Sequence, residues 1–238
     1  MKKSRIWLRA GQWAGVEQPV RYHAEKFVSG LGGVVGIGMI SLVTHWFVPD
    51  LGAVWIVASM GAATVLVFAV PHGPLSQPWP LVGGNIISAV IGVTVAGWVP
   101  DPALGGPLAV GLAIFAMHYL RCIHPPGGAT ALVATVGGPS IAALGYQYVW
   151  TPVALNVMIL LITGVVFNAF FPWRRYPAAW AARKPGPKPK LAPVTTPLKP
   201  ADLDWALQQM GSFIDVSEED LEELLRLAGE HARLAKNG

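Results

Sequence analysis

Charged residues are nearly absent from the middle of this 238-residue chain. Between residues 27 and 172 the only charged side chains are Asp50, Asp101 and Arg121, and this stretch contains no Lys and no Glu. Over the whole chain 13% of the residues are charged and 53% are hydrophobic, whereas soluble domains average about 25% charged residues. This composition excludes an ordinary soluble fold and indicates a protein embedded in a lipid bilayer.

Cysteine is also scarce, and so are the groupings that metals, cofactors and catalysis require. Cys122 is the single cysteine, which excludes an intrachain disulfide. The six histidines are scattered, and those in the apolar region lack Cys or Glu partners, which argues against a metal site. No nucleophile elbow, phosphate-binding loop, dinucleotide fingerprint or acid–base pair is visible. We therefore expect no enzyme activity, no catalytic residue, no cofactor and no nucleic-acid partner.

The chain does contain long apolar runs. A helix that spans a bilayer needs about 20 apolar residues. Four runs meet this length, a fifth is slightly short, and a sixth is rich in Gly and interrupted by Pro139. In that order they are Phe27–Val48, Leu51–Val70, Leu81–Val99, Trp150–Phe171, Ala103–Leu120 and Gly127–Gly145. The predicted fold class is all-α, with a polytopic helical membrane domain.

The basic residues indicate the orientation of this domain. All seventeen Lys and Arg lie in the N-terminal tail, at position 121, in the stretch that begins at Arg174, or in the C-terminal tail. By the positive-inside rule both termini are cytoplasmic, which requires an even number of crossings. Six crossings place every basic residue on one side, and four also satisfy the parity if two segments are re-entrant or interfacial. We favour six short helices in a multi-pass protein of the cell (inner) membrane.

Pairs of glycines suggest how the six helices are arranged. Gly32-Gly33, Gly83-Gly84 and Gly127-Gly128 are each predicted to open an outward helix, and the first two pairs are 51 residues apart. A Val-Pro-Asp sequence recurs at the same offset, ending at Asp50 and at Asp101. Weak internal symmetry of this kind is typical of transporters. The pattern predicts three helical hairpins of the same orientation.

The composition changes on both sides of the apolar region. Residues 1–26 form a basic segment at the cytoplasmic face, and residues 27–172 form the transmembrane domain. Residues 173–200 are typical of an extended linker, because seven prolines alternate with Lys and Arg. Residues 201–238 are predicted to form a cytoplasmic tail of two helices, since Leu and Ala recur there at helical spacing.

The most informative motif is His-Pro-Pro-Gly-Gly-Ala-Thr at residues 124–130. The prolines lack an amide hydrogen and end the preceding helix, while a proline in the first turn suits a new helix. Free amides at that helix start would form an anion site, to which Arg121 adds charge. The alternative is a tight turn, with Arg121 reaching the lipid headgroups. The predicted substrate-binding residues are Arg121, His124, Pro125, Pro126, Gly127, Gly128, Ala129 and Thr130.

A second polar break lies at residues 71–78, on the same predicted side of the membrane. It contains His, Ser and Gln but no charged residue, and it leads to the second glycine pair. If the helices surround one axis, the amide-rich starts at the two breaks face each other. The predicted binding residues of this break are His72, Ser76, Gln77, Gly83, Gly84 and Asn85. For His72 alone, an ordinary loop position is an equally good interpretation.

Residues 124–132 resemble the signature that names the HPP family of integral membrane proteins. Pro74–Pro78, followed by Gly83-Gly84, is similar to the second motif of that family, and the resemblance covers about residues 25–172. It implies a membrane protein for which four transmembrane helices are usually described, and some chloroplast and cyanobacterial relatives are associated with nitrite transport. Asn85 stands where many members have His, which puts a histidine role at that position in doubt.

These observations predict a transporter or channel for a small inorganic anion, with nitrite the best single guess. In this hypothesis helix-end amides at residues 83–85 and 127–130 replace part of the anion's hydration shell. The partners are then the anion, the lipid bilayer and, because few short helices enclose a pore more readily together, further copies of the chain. The alternative is a membrane-anchored interaction or sensor protein that acts through its cytoplasmic helical tail.

Overall fold

The computed structural model describes residues 23–47, 51–181, 224–226 and 228–229. Within these residues every regular element is a helix, which confirms the predicted all-α class. The helices are α1 (His23–Phe47), α2 (Leu51–Ala69), α3 (Pro78–Trp98), α4 (Pro102–Tyr119), α5 (Pro125–Val136), α6 (Pro139–Ala142), α7 (Leu155–Ala169) and α8 (Ala178–Ala181). A wide helical turn at Val149–Ala154 leads into α7, and 3₁₀ turns lie at Pro74–Ser76 and Pro172–Arg174.

Proline defines where most of the central helices begin. Helices α3, α4, α5 and α6 each begin with proline, whose fixed φ suits the first helical turn and whose missing amide would be unpaired there. Asp101 also caps α4, because its carboxylate accepts a hydrogen bond of 2.9 Å from the amide of Ala103. The chain therefore reverses direction at prolines that the sequence places between apolar runs.

Close contacts between helices show that the long helices alternate in direction. Phe68 of α2 packs on Gly32 and Gly36 of α1, and its ring meets Phe167 of α7 edge to face. Helix α3 occupies the centre of the domain, where it contacts α4, α5 and α7. Helix α5 runs parallel to α3, and it approaches closely enough that its Ala131 carbonyl lies against Gly92.

Four helical stretches are long and apolar enough to cross a membrane, judged over the described residues. They are His23–Trp46, Pro78–Trp98, Pro102–Tyr119 and Val149–Ala169. Helix α2 has 19 residues, and Ala58–Ala69, the part of it whose side chains are described, is apolar as well. A multi-pass helical membrane domain is therefore confirmed, whereas the choice between four and six crossings stays a prediction.

The predicted span at Gly127–Gly145 is not one continuous helix. Helix α5 has 12 residues, which corresponds to about 18 Å at 1.5 Å per residue, well below the roughly 30 Å of a hydrocarbon core. The helix ends at Gly137, and Gly138 adopts φ of 84°, a conformation that favours glycine. Pro139 then begins the four-residue α6, so the chain turns where the sequence predicted a membrane helix.

The third predicted hairpin does not form either. Helices α1 and α2 pack as a pair, as do α3 and α4, but α5 packs on α2, α3 and α4 while α7 packs mainly on α1. The glycine pairs also differ in position, since Gly32 is the tenth residue of α1, Gly83 the sixth of α3 and Gly127 the third of α5. Only Gly127-Gly128 lies in the first turn of a helix, so the predicted common opening of three helices is wrong.

The helical domain extends beyond Pro172. The side chains of Arg174 and Tyr176 are buried against it, so residues 173–181 belong to the domain and not to the predicted linker. In the tail, Leu224–Arg226 and Ala228–Gly229 are helical, and Leu224 and Ala228 are buried. The other residues of the predicted two-helix tail, the remaining linker from residue 182 and residues 1–22 lie outside the described residues.

Candidate functional site

A layer of hydrogen-bonded polar side chains lies inside the apolar bundle. Ser59 of α2, Asn85 of α3 and Thr130 of α5 are all fully or almost fully buried. The Ser59 and Thr130 hydroxyl oxygens are 2.7 Å apart, and the Thr130 hydroxyl donates to Asn85 Oδ1 over 2.7 Å. Asn85 Nδ2 in turn donates to the Leu81 carbonyl over 2.8 Å. We refer to Ser59, Asn85 and Thr130 as the polar layer.

Two further side chains border the polar layer. The hydroxyl of Tyr148, a buried residue just before the wide turn, donates to the Thr130 carbonyl over 2.9 Å. Ser88, one turn after Asn85 on α3, is also fully buried and lies 3.9 Å from the sulfur of Met117. Buried hydroxyls and amides are costly unless they are hydrogen-bonded. The mutual bonds explain how this layer is tolerated within an apolar domain.

His124 lies at the start of α5 and has one nitrogen without a partner. Its side chain is fully buried, and Nδ1 is 2.9 Å from the Leu75 carbonyl oxygen. Because a carbonyl only accepts, Nδ1 must be the donor, and the neutral ring leaves Nε2 as an acceptor. Nε2 has no hydrogen-bond partner among the described residues. Burial lowers the pKa of His124 to about 4, and the hydrogen bond with Leu75 opposes this shift only in part.

The amide groups at the start of α5 are partly engaged in the turn itself. Pro125 and Pro126 have no amide hydrogen, and the Gly127 amide donates to the His124 carbonyl over 2.8 Å. Gly128, Ala129 and Thr130 follow within the helix, and Gly128 and Ala129 are half-buried. That the amides of Gly128, Ala129 and Thr130 bind an anion stays a prediction, and the buried polar side chains are further candidate ligands.

Gly83 and Gly84 lie inside α3 and do not open it. The helix begins five residues earlier, at Pro78, where the Leu81 amide already bonds the Gln77 carbonyl. A Cβ atom on Gly84 would lie 2.6 Å from His124 Cβ and 2.8 Å from the Cys122 carbonyl. Glycine is therefore needed here for a close approach between α3 and the turn that carries His124.

Helix α5 makes an equally close contact with α3 at Gly127. A Cβ atom on Gly127 would lie 2.9 Å from both the Gly84 carbonyl and the Ser88 hydroxyl. Helices α3 and α5 thus meet backbone to backbone next to the polar layer. The HPP-type motif and the second motif therefore contact each other through close packing of their backbones.

The polar side chains of Ser76 and Gln77 in the second break form hydrogen bonds with nearby backbone groups. The Ser76 hydroxyl donates to the Leu66 and Val70 carbonyls at 3.0 and 2.8 Å, which satisfies the end of α2. Gln77 Nε2 donates to the carbonyls of Pro71 and Gly73, and its Oε1 accepts from the Ala178 amide. His72 is exposed. These three predicted site residues are thus not part of the polar layer.

Arg121 is exposed and adopts φ of 53°, the left-handed conformation that usually favours glycine. It follows the end of α4, where its amide bonds the His118 carbonyl and the Cys122 amide bonds the Met117 carbonyl. Lys26, Arg174 and Arg175 lie at the same end of the bundle, which we call the basic end. Arg121 therefore flanks the His124 turn without contacting the polar layer.

A second buried cluster is centred on Arg174, which the sequence analysis assigned to the linker. Its Nη1 donates to Glu25 and, over 3.0 Å, to the Ser29 hydroxyl, and its Nη2 donates to the Phe68 carbonyl. Nε donates to Asn168 Oδ1 over 3.1 Å. This single side chain joins the start of α1, the end of α2 and the end of α7.

Sequence reasoning identified Asn85, Thr130 and His124 but missed Ser59, Tyr148 and Arg174. Ser59 was visible as a polar residue within an apolar run, whereas the Tyr148 contact depends on the turn that ends α5. Among the described residues, no group of three or more His, Cys, Asp and Glu is close enough to hold a metal ion. The arrangement offers hydroxyl, amide and imidazole groups in a buried setting, which suits a small polar solute better than covalent chemistry.

Comparison with known proteins supports the assignment to a membrane family. The family described as HPP, transmembrane region, matches residues 18–177. A transmembrane protein of Dictyostelium discoideum is 35% identical over 175 residues, which cover 71% of this chain and 56% of the relative. A second transmembrane protein of that organism is 32% identical over 154 residues, or 63% of this chain and 54% of the relative.

The chain spans about half the length of these curated relatives. No solved structure matches it significantly. The matched region contains both motifs, the polar layer and the Arg174 cluster, and it ends just after Tyr176. Because the family match covers well over half of the sequence, this chain belongs to the HPP family of transmembrane proteins.

Proposed function

We propose that this protein carries a small inorganic anion across the membrane, with nitrite as the first candidate. The observation that carries the proposal is the polar layer, which places two hydroxyls and an amide in the middle of a bundle whose other buried residues are mainly apolar. Polar side chains within membrane helices are costly and are typical of solute pathways. The layer also adjoins α5, a short helix of the kind that lines binding sites in transporters.

The hydrogen bonds of the polar layer suggest how an anion would be held. Ser59 donates to Thr130, and Thr130 donates to Asn85. Both hydroxyl hydrogens can rotate, so an entering anion can take these two donors in place of the bonds they now make. Neutral donors compensate in part for lost hydration and still allow release, whereas a buried full charge would hold the anion tightly.

The exposed charge of the domain fits an anion as well. Arg121 flanks the His124 turn at the basic end, and in the described residues the opposite end carries the carboxylate of Asp101. A basic end attracts anions and, by the positive-inside rule, faces the cytoplasm of a cell membrane. We accordingly propose that both termini are cytoplasmic and that anions meet Arg121 from that side.

The test is uptake by proteoliposomes that contain the purified full-length protein. Nitrite, nitrate and formate are supplied outside, and the accumulated anion is measured against protein-free vesicles of the same lipid. We expect protein-dependent uptake of at least one of these anions, with nitrite the most rapid. Uptake equal to that of protein-free vesicles for all three anions would reject the proposal.

The alternative function, a membrane-anchored interaction or sensor protein, differs in which part of the chain does the work. It requires the helical tail, of which Leu224 and Ala228 are buried. Deletion of residues 191–238 discriminates between the two functions. Under our proposal the truncated protein keeps anion uptake, whereas a sensor would lose its output and would show no uptake in either form.

A further inference from the structure

We propose that His124 carries a proton during transport, so that the substrate is the anion of a weak acid and crosses together with H⁺. This inference rests on the proposed function and adds the substrate class and the coupling ion. Its basis is the geometry of one side chain: His124 is fully buried, its Nδ1 is held by the Leu75 carbonyl, and its Nε2 has no partner among the described residues.

The position of the ring assigns the free nitrogen unambiguously. With Nδ1 donating to Leu75 over 2.9 Å, the lone pair of the neutral ring is on Nε2. Buried polar atoms without any partner are rare in folded proteins, and a bare acceptor accepts a proton or an O–H group. The backbone of the same residue is fixed as well, because Gly84 allows α3 to approach His124 closely. A ring held in this way presents Nε2 in one direction.

Few charges face this ring from the elements that surround it. Helix α3 contains no titratable residue, and the loop before it contributes only His72, which is exposed. The turn that carries the ring contributes Arg121, which is exposed, and Cys122, which is buried against Gly83. Tyr176 lies near the loop, with its hydroxyl donating to the Ser76 carbonyl. None of these groups supplies a negative charge at neutral pH.

The acidic residues of the described chain are engaged elsewhere. They are Glu25, which pairs with Arg174, and Asp101, which caps α4 at the opposite end. An imidazolium at position 124 would therefore find no carboxylate to balance it. A mobile anion next to Nε2 would supply that balance, because an opposite charge favours the protonated ring. Anion binding and proton binding then strengthen each other by the same factor.

The proposed cycle conserves charge and protons. On the basic side, Nε2 takes a proton from water as an anion enters, which forms an N–H bond that donates to the anion. On the other side, the anion and the proton leave together as the neutral weak acid. His124 returns to the neutral ring with Nδ1 still bonded to Leu75. Each cycle moves one anion and one proton, so no net charge crosses.

The experiment uses proteoliposomes of the full-length protein loaded with a pH-sensitive dye. Nitrite is added outside near neutral pH, and internal acidification and nitrite uptake are recorded together. Protein-free vesicles give the background of nitrous acid that crosses lipid unaided. We expect protein-dependent uptake with one proton per nitrite, at a rate unchanged by a potassium diffusion potential. Nitrate, whose acid is strong, should be transported more slowly than nitrite.

The matched variants are His124→Asn and His118→Asn. The Asn side-chain amide can still donate to the Leu75 carbonyl but has no titratable nitrogen, so His124→Asn should reduce proton-coupled uptake to background. His118→Asn removes an exposed histidine near the same end, whose Nδ1 bonds the Ile114 carbonyl of its own helix, and should leave the rate and the stoichiometry unchanged. Thermal unfolding and monodispersity in detergent check that both variants fold.

Two outcomes would overturn the inference. One is nitrite uptake in the wild type without proton movement, at a rate that follows the membrane potential. Another is a folded His124→Asn protein with unchanged proton stoichiometry. If that variant does not fold, the number of protons that the wild type moves per nitrite decides whether the inference stands. Absence of uptake for every anion would instead reject the proposed function, which keeps the two failures distinct.

Discussion

Two buried polar regions of this protein differ in whether their side-chain nitrogens all have hydrogen-bond partners. Around Arg174 each guanidinium nitrogen donates to an acceptor, and the bonds tie α1, α2 and α7 together. Around His124 one ring nitrogen is bonded to Leu75 and the other has no partner in the part of the chain described. Both side chains are about equally buried, so burial alone does not explain the contrast.

The difference indicates separate roles for the two regions. A saturated network resists change, because opening it exposes several donors and acceptors at once. An unsaturated group at a close helix contact can gain a bond when a solute or a proton arrives. We therefore infer that the Arg174 cluster holds the architecture, while the region of His124 and the polar layer meets the substrate.

Removing Arg174 should produce the largest loss of stability. In Arg174→Met the Phe68 carbonyl loses its donor and Glu25 keeps only its hydrogen bond from Trp173 Nε1, and removing one partner of a buried ion pair costs about 3–5 kcal/mol. Because Glu25 is 25% exposed, we expect the lower end, about 3 kcal/mol. The free energy of unfolding in detergent measures this. Arg175→Met, the exposed neighbour, is the control and should be nearly neutral. Equal losses in both variants would contradict the role assigned to the cluster.

Adjacent glycines of the motif should respond differently to a methyl group. In Gly127→Ala the new Cβ would lie 2.9 Å from the Gly84 carbonyl, and overpacking of this kind costs about 2 kcal/mol. In Gly128→Ala the nearest atom, Val110 Cγ1, is 3.8 Å away, so a helix-propensity gain of about 0.5–1 kcal/mol is expected. Thermal unfolding of both variants distinguishes these results. A stable Gly127→Ala protein would show that α3 and α5 separate more easily than their contact implies.

The motif shows what sequence reasoning predicted and where it failed. The apolar runs, the prolines at helix starts and the special turn at His124 follow from local chemistry, and each is a feature of the structure. Of the amides predicted to be free at residues 127–130, that of Gly127 bonds the His124 carbonyl within the turn, and for residues 128–130 the anion site stays a prediction. Gly83-Gly84 was predicted to open a helix because the glycine pairs recur, but glycine is needed at Gly84 for a close contact with the Cys122 carbonyl and His124 Cβ.

Contacts between distant segments account for the remaining errors. Arg174 and Glu25 are separated by 149 residues, and nothing local distinguishes Arg174 from the basic residues of the linker that follows it. The short length of α5 was hidden by an apolar run, since Gly137 and Gly138 end the helix although the sequence stays apolar up to Gly145. Local patterns therefore predicted the elements, while pairing across the bundle determined which polar residues meet.

The polar layer allows a more selective test of the functional region. Thr130→Val keeps the shape of the side chain but leaves Asn85 Oδ1 without its donor and the Ser59 hydroxyl with only the long bond of 3.5 Å to the Pro126 carbonyl. We expect a loss of about 1–2 kcal/mol in unfolding free energy and a much larger relative loss of nitrite uptake. Thr135→Val is the control, because that hydroxyl donates only to the Leu132 carbonyl on the same helix. Unchanged uptake in a folded Thr130→Val protein would remove the layer from the pathway.

Substitution of Arg121, which is exposed at the surface, is expected to have the smallest effect on stability. Its left-handed φ of 53° costs a non-glycine residue roughly 1 kcal/mol, so Arg121→Gly should be slightly more stable than the wild type. Loss of its charge should slow anion uptake at low ionic strength, and the difference should shrink as added salt screens the charge. Arg121→Lys retains the charge and should retain the rate. If Arg121→Gly gains stability and transports at the wild-type rate at every salt concentration, the arginine acts only at the lipid headgroups, and the attraction of anions must come from the other basic residues at that end.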